Sequence, residues 1–321
     1  MGHSKRVALV LGGGGTLGAA WMAGGLPAVQ ERIGRPLHEV DIIIGTSAGS
    51  ILAAALRHGF TAQDLLDHQR GTGAAHVPAV DEFAADTGTR PPRPRLRMGS
   101  PRMVATAALA PHSVHPRVLM SAFVPQGRSR HHTLHRYMHA LTSGGDPGAW
   151  PSNATWIVGV DYESGRRAVF GRAGGPPASL ADAVVASCSI PGWHEPKTIG
   201  DRRYVDGGVH SVASVDLLEH EKLDEVYVLA PMASHRTDRP LSPAWRAERL
   251  LRQMFAAQLD REVARVTRTG ARVTVVTPGP EDLRAIGFNL MDGRRRRAVL
   301  ETASWTIPAA LGTATPRAAA A

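Results

Sequence analysis

Two short apolar runs near the amino end, each leading into a glycine-rich turn, constrain the fold of this chain more than any other feature. Residues 6–11 lead into four glycines at 12–15, and residues 41–44 lead into a Gly-x-Ser-x-Gly sequence at 45–49. Continuous apolar runs without alternation are typical of buried parallel strands, and a helical pattern follows each turn. Two strand–turn–helix units this close together predict a doubly wound α/β sheet.

The rest of the chain continues this pattern, with further strands and helices. A helix over 19–30 is interrupted by Pro27, which should kink it or move its end, and Thr61 with Asp64 has the spacing of a capping box. Further strands are predicted over 155–160, 168–170, 203–205, 225–230 and 272–276, and helices over 180–186, 243–269 and 293–304. We therefore expect an α/β fold of three layers, with a mostly parallel central sheet flanked by helices, in one domain of residues 1–310 with a frayed tail at 311–321.

Residues 71–148 differ in composition and periodicity from the rest of the chain. The net charge of the protein is +9, and residues 87–145 hold nine arginines, six histidines and no acid, so this window accounts for the whole excess. Long segments of this kind inside compact domains are usually functional lids or disordered. We predict a basic, flexible, lid-like insertion over the active face, with helical periodicity near 103–109 and 134–141. It could contact an anionic membrane, although a solvated arginine-rich surface fits the composition equally well.

Composition and hydropathy limit the other classes of site. Cys188 is the only cysteine, which excludes an intrachain disulfide and a cysteine-rich metal site. Residues 7–30 carry no charge, but their glycines and Pro27 make a poor lipid-facing helix. We expect no signal peptide and no membrane span, and a cytoplasmic protein that contacts membranes at most peripherally.

The glycines at 13, 15 and 18 formally match a dinucleotide-binding fingerprint, so a Rossmann-type oxidoreductase is one alternative. In such a site an acid that binds the ribose stands at the far end of the second strand. Here Asp41 stands at the near end, and the far end holds the Gly-x-Ser-x-Gly turn. The pattern therefore favours a nucleophile over a nucleotide.

Ser47 is the candidate nucleophile, because a serine between glycines at a strand-to-helix turn is the pattern of a nucleophile elbow. The glycine turn of the neighbouring unit could supply backbone N–H groups for an oxyanion hole. Serine also needs a base, and Asp206, held by Gly207 and Gly208 after a later strand, is a candidate. His210 and His220 could serve nominally, but neither stands in a context that separates it from the other histidines.

These segments together resemble the bacterial patatin-like phospholipases. Residues 11–18 resemble the glycine-rich oxyanion loop of that family, 45–49 its nucleophile elbow, and 206–208 its Asp-Gly-Gly motif, while 186–191 resemble the small-residue segment that precedes the acid. The resemblance implies a Ser-Asp dyad of Ser47 and Asp206. It also implies an oxyanion hole of backbone N–H groups at Gly13, Gly14 and Gly15, acyl lipids as substrates, and no metal or organic cofactor.

Two departures from the family pattern leave substrate preference open. Leu17 stands where the family usually has Arg or Lys, and Val212 and Ser214 stand where Asn and Pro are frequent. We predict a serine acyl hydrolase, a carboxylic ester hydrolase that cleaves phospholipids or other acyl lipids. Its expected partners are an acyl lipid and an anionic membrane surface rather than nucleic acid, and the sequence leaves the oligomeric state open. A non-catalytic membrane-binding module is the second alternative.

Overall fold

The computed structural model describes residues 5–73, 88–93, 95, 97–110, 112–141, 149–236, 238 and 240–312. Most of the tail predicted at 311–321, and the parts of the predicted insertion at 74–87 and 142–148, lie outside these residues.

A mixed sheet forms the centre of the structure. Its strands are β1 (Val7–Leu11), β2 (Ile42–Thr46), β3 (Ala154–Asp161), β4 (Arg167–Phe170), β5 (Lys197–Ile199), β6 (Arg202–Asp206), β7 (Glu225–Leu229) and β8 (Arg272–Val276). Over the described residues the order is β5-β6-β3-β2-β1-β7-β8, with β4 also paired to β3. The run β3-β2-β1-β7-β8 is parallel, and β4, β5 and β6 join by antiparallel pairing. The predicted mostly parallel sheet is confirmed.

Helices cover both faces of this sheet. They are α1 (Gly15–Ile33), α2 (Ala48–Arg57), α3 (Ala62–Arg70), α4 (Pro101–Leu109), α5 (Pro116–Phe123), α6 (His132–Leu141), α7 (Leu180–Ser187), α8 (Pro243–Thr267), α9 (Pro280–Ile286) and α10 (Arg296–Leu311). The capping box of Thr61 and Asp64 at the start of α3 is confirmed. Pro27 does not end α1, which continues to Ile33.

Two hydrophobic clusters show why the molecule has three layers. Alternate side chains of each central strand point to opposite faces. Leu9 and Ile43 pack with residues of α1, α2, α3, α6, α7 and α10 on one face. Ala8 and Ile44 pack with residues of α8 on the other. The central strands are buried on both faces, which explains their unbroken apolar sequences.

The helices of the basic segment belong to this packing. Leu134, Tyr137 and Met138 of α6 lie in the first cluster, so α6 is part of the core. Val118 of α5 and Met103 of α4 pack with Val160 of β3 in a separate cluster. The periodicity near 103–109 and 134–141 therefore corresponds to real helices. In the part of the chain that is described, no helix is both long and apolar enough to cross a membrane.

Candidate active site

The register of β3 brings the ends of two other strands together. Val158 pairs with Thr46, the last residue of β2, and the next residue of β3, Gly159, pairs with Asp206, the last residue of β6. Ser47 directly follows Thr46. Consecutive positions on one strand thus place Ser47 beside Asp206.

Ser47 stands at the predicted nucleophile elbow, a sharp turn between β2 and α2 with a strained backbone. Its φ of 51° and ψ of −122° lie in a region that residues with side chains rarely adopt. The flanking glycines allow the sharp turn. A Cβ at Gly45 would lie 2.6 Å from the Ser50 Cα, and one at Gly49 would lie 2.0 Å from the Leu11 carbonyl oxygen. Both glycines of the motif are therefore required by close packing between β1, β2 and α2.

Hydrogen bonds from other elements hold the elbow. The Ser47 N–H donates to the Ser187 Oγ at 2.8 Å, and the Ser187 hydroxyl donates to the Val158 carbonyl oxygen at 2.6 Å. Within the turn the Ser50 hydroxyl donates to the Ser47 carbonyl oxygen at 2.6 Å. Ser187 therefore connects the elbow to β3 through the end of α7. Sequence reasoning gave it no role, although it lies in the small-residue segment at 186–191.

Asp206 is buried beside the nucleophile. Its carboxylate accepts a hydrogen bond from the Gly208 N–H at 2.7 Å, and the Ser47 hydroxyl lies near enough to favour its charged form. Burial raises the pKa of Asp206 to about 6, although both of these groups act in the opposite direction. The carboxyl is therefore mostly ionised at neutral pH, yet more basic than an exposed aspartate. The structure places the side chains of the predicted pair Ser47 and Asp206 next to each other.

The glycine loop differs from the prediction at one position. The Gly13 N–H donates to the Val212 carbonyl oxygen at 2.8 Å, as the Gly12 N–H does to the Leu229 carbonyl oxygen at 2.9 Å. The backbone therefore stays paired for two residues beyond β1, and the predicted Gly13 donor is already occupied. No hydrogen bond to a described residue occupies the N–H of Gly14 or Gly15 at the start of α1. The N-terminus of a helix is a favourable place for negative charge.

The other residues weighed in the sequence lie away from this contact. Asp41 accepts hydrogen bonds from the Val7 N–H at 2.8 Å and from Arg35 at 2.6 Å, at the end of β2 opposite Ser47. It is engaged in structural contacts, as a ribose-binding acid would not be. His210 is half-buried and His220 is exposed, and neither lines the cavities at Ser47.

Two cavities meet at Ser47. The narrow cavity has a volume of about 100 Å³, and its wall is mostly apolar, with aliphatic residues of α1, α2 and α6. The wide cleft, of about 460 Å³, is lined by the loop at 13–15, by Asp206 and by residues of α5 and α8. Ser47, Gly15, Ile190 and Met291 line both. An ester at Ser47 could extend one half into each.

Some polar residues in these walls were not identified from the sequence. Arg117 of α5 lines the wide cleft, where it and Asp206 are the only ionisable side chains among the described lining residues. Gln69 and His194 line the narrow cavity. No motif surrounds them, and only the tertiary packing brings them to the site. Within the described ranges no cluster of three or more potential ligands could hold a metal ion.

Comparisons with known proteins complete the description. A family model described as patatin-like phospholipase matches residues 9–218. Among solved structures, VipD from Legionella pneumophila superposes with a TM-score of 0.44 and 13% identity, over 96% of this chain and 67% of that chain. The type III effector protein ExoU gives a TM-score of 0.35 and 16% identity, over 96% of this chain and 53% of that chain. A search of curated proteins gave no match.

Proposed function

The chain belongs to the patatin-like phospholipase family, and from this premise we propose that it is a serine acyl hydrolase with a dyad of Ser47 and Asp206. The observation that carries the proposal is the position of the Ser47 hydroxyl beside the buried Asp206 carboxylate, near enough to lower its pKa. A serine hydroxyl is a weak nucleophile until a neighbouring base accepts its proton. Asp206 is the only carboxylate among the described residues that line the wide cleft with Ser47.

The reaction balances with these two side chains and water. The Ser47 Oγ attacks the ester carbonyl carbon while its proton passes to Asp206. The tetrahedral intermediate then expels the alcohol, which takes that proton, and leaves an acyl group on Ser47. Water attacks this acyl-enzyme, with Asp206 again accepting a proton and returning it to Ser47 as the carboxylic acid leaves.

The N–H groups of Gly14 and Gly15 are the proposed oxyanion donors. Both lie at the N-terminus of α1 and line the wide cleft with Ser47, and neither donates to another described residue. Two preorganised donors matter here because losing one typically costs roughly 3 kcal/mol of transition-state stabilisation. Gly13 then has a different role from the predicted one, because the hydrogen bond from its N–H to the Val212 carbonyl oxygen fixes the loop.

We assign the acyl chain to the narrow cavity and the alcohol half of the ester to the wide cleft. The aliphatic wall of the first suits a hydrocarbon chain. In the second, the Arg117 guanidinium lies 5.4 Å from the centre of the Phe255 ring and donates to the His210 carbonyl oxygen at 3.3 Å. It offers the cleft a positive charge of the kind that Leu17 cannot offer. A phospholipid, whose head group carries a phosphate, is therefore the proposed substrate.

The mouth of the cleft is proposed to contact the membrane. Leu250 and Met254 of α8 are each 60% exposed, on the helix whose Leu251 and Phe255 line the cleft. Met120 of α5 is 70% exposed, one turn beyond Arg117. Exposed apolar groups at the entrance of a lipid-binding cleft favour a membrane surface. A cytoplasmic location with peripheral membrane contact stays our prediction.

Active-site labelling tests the dyad. Wild-type protein should react with a fluorophosphonate probe and hydrolyse p-nitrophenyl esters and phospholipid vesicles. Ser47→Ala and Asp206→Asn should each lower ester turnover by at least about a thousandfold. His220→Ala, which changes an exposed histidine, should retain both activities.

Two results would overturn the proposal. Full turnover by Asp206→Asn would show that another group activates Ser47. Vesicle binding that survives Ser47→Ala, with no hydrolysis of any acyl ester by the wild type, would favour the non-catalytic membrane module.

A further inference from the structure

The turn at residues 230–234, which follows β7, packs directly against the proposed oxyanion loop. A Cβ added at Gly14 would lie 2.7 Å from the Pro231 Cγ, and one added at Gly18 would lie 3.1 Å from the same atom. A Cβ at Gly12 would lie 3.3 Å from the Ala230 Cα. The Pro231 ring therefore fills the space that a side chain at Gly14 would take, and the position of Gly14 depends on the position of this ring.

Arg252 of α8 holds this turn in place. Its side chain is buried, with the residue 2% exposed, and its Nη1 donates to the Pro231 carbonyl oxygen at 2.6 Å. Proline has no backbone N–H, so the carbonyl is the only backbone group of Pro231 that a hydrogen bond can anchor. The Ser234 N–H also donates to the Arg252 carbonyl oxygen, at 3.3 Å. Arg252 thus binds the turn with both its side chain and its backbone.

Glu248 fixes the guanidinium from within the same helix. Its Oε1 accepts a hydrogen bond from the Arg252 Nε, and its Oε2 accepts one from Arg249, which also pairs with Asp238. Buried ion pairs are often no more stabilising than well-packed apolar side chains of similar volume. The pair of Glu248 and Arg252 therefore matters mainly for geometry, because it fixes the group that anchors Pro231.

We propose that Arg252 is a positioning residue for the oxyanion hole, acting through Pro231 on Gly14; this inference rests on the proposed hydrolase function. The Gly14 N–H must point at the oxygen that becomes negative in the tetrahedral intermediate. A misplacement of about 1 Å caused by a distant substitution can cost about a hundredfold in rate. Arg252 lines neither cavity, so its loss should weaken the transition state and leave substrate binding unchanged.

Two substitutions test the two contacts on this route. Arg252→Met removes the donor and keeps an unbranched side chain, whereas Pro231→Ala removes the ring and keeps the carbonyl. In each variant kcat for p-nitrophenyl butanoate should fall by about tenfold to a hundredfold, with KM changed by less than about twofold. The double variant should lose no more than the worse single variant, because both substitutions interrupt the same route.

A trifluoromethyl ketone separates positioning from loss of folded protein. Its adduct with Ser47 carries the negative oxygen, so its Ki should rise by about the same factor as kcat/KM falls. A smaller fraction of folded enzyme would lower the apparent kcat and leave this Ki unchanged. If methionine at position 252 prevents folding, Arg252→Gln takes its place with the same expected losses, since glutamine is too short to bond both Glu248 and Pro231.

Arg249→Met is the matched control. Arg249 is 3% exposed and shares Glu248, but its remaining bonds go to Asp238 and to the Leu283 carbonyl oxygen, outside the turn at 230–234. This variant should keep kcat and the Ki of the ketone within about threefold of the wild type. Losses equal to those of Arg252→Met would contradict a specific role for the bond to Pro231.

The outcomes separate this inference from the proposed function. An unchanged Ki for the ketone in both test variants would overturn the positioning role and leave the hydrolase proposal intact. Losses that add in the double variant would overturn the route through Pro231. A wild-type protein that neither hydrolyses an ester nor binds the ketone would overturn the proposed function, and this inference with it.

Discussion

At the scale of single residues, the ionisation of Asp206 governs the proposed activity. The carboxylate must be unprotonated to accept the Ser47 proton, and burial raises its pKa to about 6. The kcat/KM for a p-nitrophenyl ester should therefore rise as pH increases through about 6 and level off above it. This ester has no ionisable group, so its pH–rate profile reports the enzyme. A profile that is flat between about pH 5 and 8 would contradict the assignment.

The same carboxyl should destabilise the folded protein when it is charged. Its folded-state pKa of about 6 lies above the ordinary 3.8, so the folded state holds the proton more tightly than the unfolded state between these values. The contribution of this carboxyl to the free energy of unfolding is fully present below about pH 4. It is lost as pH rises through about 6, and the total loss is about 3 kcal/mol.

Asp206→Asn should therefore be more stable than the wild type at pH 8, because asparagine keeps the shape and carries no charge. The expected gain is up to about 3 kcal/mol, and it should vanish near pH 4, where the wild-type carboxyl is protonated. Urea unfolding at both pH values measures it. Asp201→Asn, at an exposed position, is the matched control and should show no such gain. An Asp206→Asn protein less stable than the wild type at pH 8 would contradict the burial argument.

Residue roles were predictable from the sequence where the candidate residue lies in a recognisable local motif. Ser47 lies in Gly-x-Ser-x-Gly and Asp206 in Asp-Gly-Gly, and the structure places the two side chains next to each other. Gly13 was misjudged as a donor because its acceptor, the Val212 carbonyl, is distant in the chain. Gln69 and His194 had no signal at all, since their position in one cavity depends on the packing of α3 against the turn after α7.

At the scale of elements, the contact between α1 and α10 depends on two glycines within α1. A Cβ at Gly24 would lie 2.8 Å from the Leu300 carbonyl oxygen and 2.9 Å from the Ala303 Cβ. One at Gly25 would lie 2.3 Å from the Ile307 Cδ1. The helices approach so closely because α1 has no side chain at these two positions.

Gly24→Ala should therefore destabilise the protein, even though alanine is the better helix former. We expect a loss of about 1–3 kcal/mol from overpacking, partly offset by helix propensity. Chemical denaturation measures it. Glu31→Ala, at an exposed position of the same helix, is the control and should change stability by less than about 0.5 kcal/mol. A Gly24→Ala protein as stable as the wild type would show that α10 can shift outward at little cost.

The sequence identified the long or strongly apolar elements and missed short ones. The strands next to the glycine turns and the long α8 follow clear patterns, and their existence is confirmed. α5, α9 and β5 were not predicted. They have 8, 7 and 3 residues, too few for periodicity to stand out from the background.

At the scale of the whole molecule, the exposed apolar residues at the cleft mouth should be needed for hydrolysis of vesicles and not for hydrolysis of soluble esters. The exposed Leu250 and Met254 of α8 should enter the lipid interface, and a charge there opposes insertion. Leu250→Glu with Met254→Glu should lower hydrolysis of phospholipid vesicles by about tenfold or more and leave a short soluble ester nearly unaffected.

The control for this prediction adds a charge elsewhere. Ala309→Glu lies at an exposed position of α10, which lines neither cavity, and should leave both activities unchanged. Equal losses on vesicles and on the soluble ester in the α8 variant would show damage to the cleft instead of lost membrane contact.

The basic segment could be recognised from composition, but its place in the molecule could not. Arg95 and Arg130 both pair with Glu195, at 2.5 Å and 3.0 Å, so part of its charge is balanced within the fold. Arg102 and Arg128 are exposed and make no ion pair with a described residue. Whether residues 1–310 behave as one domain stays a prediction, and the burial of Leu134 and Tyr137 of α6 in the main core supports it.

The hydrogen bonds that hold the elbow join residues that are synthesised at different times. Ser47 leaves the ribosome before Ser187, the residue that holds its N–H and is itself held by Val158 of β3. Its proposed proton acceptor, Asp206, is made later still. A nascent chain that ends before residue 187 therefore has its serine but neither the support nor the proposed base. Synthesis can expose Ser47 early without releasing an active hydrolase, since the proposed activity waits for β3, α7 and β6 to fold onto β1 and β2.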